Sequence, residues 1–267
     1  MQDDLNSIAE QLLTQQQKYW NILLIGDTAI DIYKYGSINR MSPEAPVPVF
    51  VPLYEETRAG MAQNVANNLK NFNSRIVEVY GEKSTKIRFI DKKSKQHIMR
   101  LDIDAEQQPF DMFDTITDKF NAIVISDYNK GLLTYDNIET ICRKYNGPIF
   151  IDTKKKDLKR FNFSNVYIKI NTTEDEAAIT KGDNVIVTMG KEGAMFKGSV
   201  YPTPDIEVAD VCGAGDTFLA ALATEYLKTN NIDQAIHFAN MAASITVQHV
   251  GTYAPTLEEI NALRGIR

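Results

Sequence analysis

Short unbroken apolar runs alternate along this chain with stretches in which apolar residues return every three or four positions, and the two patterns predict different elements. The run Ile22-Leu23-Leu24-Ile25, closed by Gly26-Asp27, has the length and content of a buried parallel strand whose carboxyl end opens onto a site. Pro43, Pro46, Pro48 and Pro52 then interrupt a stretch in which Val47, Val49 and Val51 alternate. Proline cannot donate to a strand ladder, so this part is limited to an edge strand or an extended loop. Residues 62–72 carry helical spacing, and 75–80 read as a strand. Residues 87–90 and 97–103 flank the polar tip 91–95 as the arms of a hairpin.

From residue 122 onward strands and helices take turns: strands at 122–126, 149–152, 166–170 and 185–188, with helices at 135–145 and 173–179. Two long helical patterns follow, 217–228 and 232–249. Alternation of this kind predicts an α/β fold with a central, mostly parallel sheet and helices on both faces. The proline-broken segment and the hairpin do not belong in such a sheet. They predict a small β lid, over about residues 33–52 and 85–103, on one single-domain unit covering residues 1–267.

Composition narrows the classes of function. A chain of 267 residues with 43% hydrophobic and 24% charged residues has no disordered or fibrous bias. A formal net charge of −6 argues against general nucleic-acid binding, which rests on many Lys and Arg contacts to phosphate. Any anionic ligand must therefore be held by local groups. The two cysteines, Cys142 and Cys212, are far apart and lack metal-type or redox-type spacing, which fits a reduced, cytoplasmic setting. Residues 1–17 place Leu5, Ile8 and Leu12 at helical spacing among acids and glutamines, as in a short amphipathic helix. No apolar run approaches the roughly 20 residues of a membrane span, so no membrane partner is expected.

One segment carries distinctive chemistry. Asp210-Val211-Cys212-Gly213-Ala214-Gly215-Asp216-Thr217 ends an extended stretch and opens a helix. Glycines at a helix start let backbone N–H groups approach a phosphate, and the free amides and helix dipole favour negative charge there. Gly213, Ala214 and Gly215 thus form a candidate anion hole. Asp216, just inside the turn, is placed to take the proton of a hydroxyl attacking the phosphoryl group held by those amides. A glycine-rich loop with an acid in the first helical turn occurs in many proteins, so context decides.

The full string resembles the signature of the ribokinase, or PfkB, family of carbohydrate kinases, and further segments match in the same order. Asn171-Thr172-Thr173-Glu174 resembles the family's Asn-x-x-Glu element, which implies that Asn171 and Glu174 help position Mg²⁺ and the nucleotide phosphates, Glu174 through water; the same residues also read as a helix cap. Asp27 and Asp31 resemble the sugar-binding strand end, and Gly60 and Asn64 the sugar-contacting glycine and asparagine. Thr188, Gly190 and Gly193 resemble the turn beside ATP. Ala239, Asn240 and Ala243 fall on the helix flanking adenine, where close helix packing is an equal reading for the alanines. Asp210 and Gly251 sit where many relatives bind K⁺. The three histidines receive no role.

Within the family, residues 26–36 and 40–49, with Arg100-Leu101-Asp102, residues 126–131 and residues 151–154, are similar to the D-glycero-D-manno-heptose-7-phosphate kinases. The resemblance covers nearly all of the chain after residue 20 and stops where bifunctional relatives continue into a nucleotidyltransferase. It implies ATP-dependent phosphorylation of the anomeric hydroxyl and cations for the distal phosphate, for which Arg40, Arg100 and Lys130 are the candidates; the small lid sheet, hard to stabilise alone, is expected to pack against its copy in a homodimer. Three features depart from the pattern: Gly60-Met61 replaces two glycines, and the connections around 81–86 and 176–184 are shortened. Met61 keeps open a related kinase acting on a pentose, a hexose phosphate or a nucleoside. The shortened connections keep open a silent sugar or nucleotide sensor.

Overall fold

The computed structural model describes residues 19–265; the amphipathic helix expected over residues 1–17 lies outside them. Ten strands form one sheet in the order β10-β9-β8-β7-β6-β5-β1-β3-β4, with β2 also paired to β1. Its central part is parallel: β5 (Ala122–Asp127), β6 (Ile149–Thr153), β7 (Val166–Asn171), β8 (Val185–Thr188) and the first halves of β1 (Trp20–Met41) and β3 (Ser74–Asp91). Two short strands, β9 (Ala194–Phe196) and β10 (Ser199–Tyr201), extend one edge in antiparallel fashion.

Successive strand residues point to opposite faces, and both faces are covered, which is why the strands read as unbroken apolar runs. Ile22 and Leu24 pack under α1 (Ala62–Asn71), α4 (Ala214–Thr229) and α5 (Ile232–Thr246), in a cluster with Leu69, Phe218, Leu222 and Phe238. Leu23 and Ile25 pack on the other face with Ile138, Ile141 and Cys142 of α2 (Tyr135–Lys144). Burial pushes the Cys142 thiol up to about 12, as expected of a cysteine acting as a small apolar residue. The remaining helices are the single turn and a half of α3 (Thr172–Ala177) and α6 (Leu257–Arg264). Among the described residues no helix is long and apolar enough to cross a membrane.

The strand expected to end at Asp27 instead continues to Met41. Beyond Asp27, β1 leaves β5 and runs between antiparallel β2 (Pro48–Met61) and the second half of β3, and β4 (His97–Ile103) adds the outer edge. The region predicted as a lid is therefore a four-stranded extension of the core sheet, carried on two strands that traverse both parts. β3 passes from core to extension through a bulge at residues 81–82, where its register with β1 shifts between Gly26/Tyr80 and Thr28/Lys83. The second helical pattern, expected to reach residue 249, ends as a helix at Thr246 and closes in tight turns in which Gln248 and His249 N–H groups donate to Ile245 and Thr246 carbonyls.

Candidate active site

The carboxyl end of the sheet, the first turn of α4 and the root of the extension meet around Asp216. α4 begins at Gly213, whose φ of 81° is left-handed and suits glycine, and it has no side-chain cap. The first amides of such a helix lack intrahelical acceptors and point outward. One of them, Ala214 N–H, donates to the Val211 carbonyl at 3.3 Å, so within the expected anion hole the Gly213 and Gly215 amides are the better placed donors. A side chain at Gly215 would come within 2.6 Å of Lys169 Nζ, and one at Gly213 within 2.7 Å of Asn64 Nδ2, so either would displace one of these side chains.

Asp216 is buried, and both its oxygens are held: Asn64 Nδ2 donates to Oδ2 at 2.8 Å and the Tyr128 hydroxyl to Oδ1 at 3.1 Å. Burial pushes its carboxyl up to about 6, Asp152 adds to the rise, and the Asn64 contact and Lys169 oppose it. Such a carboxylate is a stronger base than an ordinary aspartate yet still ionised at neutral pH. Tyr128 is driven well above the ordinary phenol range, first by burial and then by Asp216, and stays a hydrogen-bond donor.

Asp27 lies one strand end away. Its Oδ2 accepts the Tyr128 and Lys130 backbone N–H groups at 2.8 and 3.3 Å, while Oδ1 is buried with no protein donor among the described residues. Burial raises its pKa despite those two hydrogen bonds. An orphaned buried acceptor beside a candidate base is what a polyhydroxyl ligand would satisfy. Asp31 is paired with Arg88 and sits directly against Gly60, which leaves no room for a side chain at that position. Met61 follows with φ 56°, a left-handed conformation that strains a non-glycine residue, and it is buried without joining either apolar cluster.

On the other side of α4 lies a cavity of about 420 Å³. Thr188, Gly190, Gly193 and Asn240, all assigned to the nucleotide by resemblance, line it, together with Ala243, Gly215 and Phe218. Asn240 Nδ2 is already engaged by the Tyr201 carbonyl at 2.7 Å, and Ala239 is fully buried packing. Asn171 and Glu174 form a reciprocal cap on α3: Glu174 N–H donates to Asn171 Oδ1 at 2.9 Å, and Asn171 N–H to Glu174 Oε2 at 2.8 Å. The other Glu174 oxygen pairs with Lys154. Asp210 ties two loops, accepting Cys212 N–H at 3.0 Å and Gly251 N–H at 2.8 Å.

The proposed phosphate contacts divide. Lys130 touches the site through its backbone, while its side chain pairs with Asp104 at 2.7 Å. Arg100 is held in a two-pronged pair by Asp102 on the outer strand, at 2.9 Å for each contact, and Arg40 is exposed near the far end of β1. Neither is brought to the Asp27–Asp216 cluster. The structure also adds residues that the sequence reading left without a role. Lys169 is buried and bonded to Asp152 Oδ2 at 2.7 Å, beside Gly215; a lysine in the middle of an apolar strand was the available signal. Lys154, its pKa lowered by burial, lies 5.5 Å from the Tyr128 ring centroid. Lys155 and Asp127 form a second buried pair at 3.3 Å, and it fastens the loop that carries Tyr128.

This layout, a cluster of buried polar side chains and a cavity of about 420 Å³ on either side of a glycine-rich helix start, is carried on a ribokinase-like fold. Residues 164–260 match the pfkB family of carbohydrate kinases. The chain is similar to the bifunctional protein HldE of Nitratiruptor sp., with 33% identity over 296 residues that take in 90% of this chain and 64% of that protein. The chain thus spans slightly less than two thirds of that relative's length. Solved structures of the same fold include ribokinase from Thermotoga maritima, with a TM-score of 0.69 at 16% identity, covering 92% of this chain and 100% of that one. Another is phosphofructokinase-2 from Escherichia coli in complex with potassium, at 0.70 and 13%, covering 93% and 99%.

Proposed function

We propose that the chain transfers the γ-phosphoryl group of ATP to the anomeric hydroxyl of D-glycero-D-manno-heptose 7-phosphate or a closely similar sugar phosphate. The observation that carries the reading is the contact chain Asn64–Asp216–Tyr128, with the orphaned Asp27 oxygen beside it and the nucleotide-sized cavity across Gly215. Asp27 and Asp31 hold sugar hydroxyls. The attacking oxygen gives its proton to Asp216 as its bond to the γ-phosphorus forms, and the bond from that phosphorus to the ADP oxygen breaks. Outward amides at Gly213 and Gly215, with Lys169 next to them, face the charge on the moving group.

Mg²⁺ is implied by the nucleotide. No group of three metal-ligating side chains occurs among the described residues, and Glu174 offers one carboxylate, which fits a metal held mainly by the nucleotide's own phosphates. When bound, the ion neutralises phosphate charge. A monovalent cation beside Asp210 is the corresponding reading of the loop that Asp210 ties to Gly251. Exposed Met41, Val51, Leu53, Met99, Leu101 and Ile103 on the extension support a homodimer, since so small a sheet leaves apolar surface that a second copy would cover.

Met61 supports a second reading, a kinase of the same family with a different acceptor. The deciding experiment incubates purified protein with ATP, Mg²⁺ and a panel of heptose 7-phosphate, free heptose, ribose, hexose phosphates and nucleosides, with the products followed by phosphorus NMR. Bisphosphate formation from heptose 7-phosphate supports the first reading. Turnover of ribose or a nucleoside alone replaces it with the second, and no turnover of any acceptor removes both.

A further inference from the structure

One residue reaches both carboxylates of the candidate acceptor site. The backbone N–H of Tyr128 donates to Asp27 Oδ2 at 2.8 Å, and its hydroxyl donates to Asp216 Oδ1 at 3.1 Å. The Lys130 N–H joins it on Asp27 at 3.3 Å. The short loop that follows β5 therefore sets where these groups point. Asn129 in that loop takes a left-handed φ of 58°, a conformation that other contacts have to hold in place.

The holding group is a lysine two positions beyond β6. Lys155 has a side chain only 3% exposed, with Nζ 3.3 Å from Asp127 Oδ2 and donating to Asn129 Oδ1 at 2.8 Å. The Tyr135 ring, at the start of α2, has its centroid 5.2 Å from the same nitrogen. Asp127 is fully covered, and it accepts the Asn129 N–H on Oδ1 at 2.9 Å and the Thr153 hydroxyl on Oδ2. An ammonium so enclosed has no face to offer a ligand. It acts on its neighbours instead, and those neighbours, Asp127 and Asn129, flank Tyr128 in the chain.

Burying an ion pair is a costly route to stability, because apolar side chains of similar volume often serve as well or better. What the pair supplies here is direction. We propose that Lys155 is a positioning residue for phosphoryl transfer: by holding Asp127 and Asn129 on either side of Tyr128, it keeps the Tyr128 hydroxyl on Asp216 and the Tyr128 N–H on Asp27. The inference deepens the reading of Asp216 as the base and rests on it. A hydroxyl donated to a carboxylate favours the ionised form. The other groups that act on Asp216 are Asn64 on α1, Asp152 and Lys169 on β6 and β7, Lys154 after β6, and Cys212 before α4. A loop that lets Tyr128 swing away leaves those in place and raises the pH at which Asp216 ionises.

The test compares wild type with Tyr128→Phe, Lys155→Met, the pair Lys155→Met with Asp127→Asn, and that pair combined with Tyr128→Phe. Asparagine at 127 removes the buried charge that Lys155→Met alone leaves unpaired. Carboxyl-labelled aspartate gives the Asp216 titration by carbon-13 NMR, its resonance being the one missing from Asp216→Asn. Thermal melts give stability, and the pH profile of kcat/KM for D-glycero-D-manno-heptose 7-phosphate gives the kinetic counterpart. Tyr128→Phe should move the Asp216 titration from about 6 upward by about one to two pH units, the equivalent of one hydrogen bond to a charged group. The Lys155→Met, Asp127→Asn pair should melt near wild type and still show Asp216 and the acid limb of kcat/KM displaced upward. Adding Tyr128→Phe to the pair should move Asp216 no further than Tyr128→Phe alone, because the lysine acts through the tyrosine. An Asp216 titration unmoved in the pair or in Tyr128→Phe overturns the proposal, as do shifts that add. If Lys155→Met by itself does not fold, the charge-free pair decides. If heptose 7-phosphate is not turned over, the activity reading falls, and the NMR titration alone settles whether Lys155 positions Tyr128 on Asp216.

Discussion

Replacing Asp216 with asparagine should make the protein more stable and nearly inactive at the same time. The carboxyl has an ordinary value of 3.8 and titrates at about 6 in the fold, chiefly because it is buried. At about 1.4 kcal/mol per pH unit, holding it ionised costs on the order of 3 kcal/mol above pH 6. A carboxyl whose folded value lies above its unfolded one binds its proton more tightly in the native state. Its contribution to stability is therefore greatest in acid and is lost as pH rises from about 4 through about 6. Asparagine removes the charge and keeps the contacts: its oxygen can accept from Asn64, and its amide can donate to Tyr128, whose hydroxyl rotates to accept. The variant's advantage should be near 3 kcal/mol at pH 7.5, roughly 6–12 °C in melting temperature, and should shrink by about 2 kcal/mol on going to pH 4.5. Turnover should fall by at least ~10²-fold with ATP binding retained. Thermal melts at the two pH values and single-turnover assays measure both effects. A variant no more stable than wild type, or one whose advantage does not change with pH, would refute the burial argument; a rate loss under about tenfold would refute the base assignment.

The same group sets the pH dependence of the reaction: kcat/KM should be flat above about pH 6.5 and fall roughly tenfold per unit below 6, because only the ionised Asp216 accepts a proton, and a profile flat down to pH 5 would exclude it. Met61→Gly should relieve about 1–3 kcal/mol of strain at positive φ yet empty a buried site, where removing a large side chain costs about 2–5 kcal/mol, so calorimetry should show a net loss of stability while activity on heptose 7-phosphate is equal or improved. Glu174→Gln should raise the Mg²⁺ concentration needed for half-maximal activity; a loss confined to sugar KM would show that the capped turn serves the other substrate. Light scattering at micromolar concentration should give a dimer, and Leu101→Asp on the outer strand should shift it to monomer, whereas a wild-type monomer would contradict the docking of the extension.

Features encoded within a few residues were legible in the sequence. The turn Gly213-Ala214-Gly215-Asp216 announces a helix start with free amides because glycine conformation and helix termini are local properties, and the structure places α4 there. Asn171 and Glu174, three apart, cap α3 for the same reason. Some local signals went unused: Thr256 with Glu259 caps α6, and Lys197-Gly198, both at positive φ, turns β9 into β10. The central strands were legible because burial on both faces demands unbroken apolar runs. The second half of β1 was not, since beyond Asp27 its neighbours are half-exposed extension strands and its composition turns mixed.

Sequence alone therefore determined the class of fold, the candidate anion-binding turn and the identity of the candidate base. Tertiary structure decided what surrounds that base. Asn64 and Tyr128 reach Asp216 across 152 and 88 positions of chain, and Lys169 and Asp152 meet on adjacent parallel strands beneath Gly215. Register carried Arg40 away from the site, although it is equally visible in the sequence. Helix starts and buried runs arise from interactions a few bonds apart, whereas burial, pairing and the raised pKa of Asp216 arise from groups that come together only when strands distant in sequence are laid side by side.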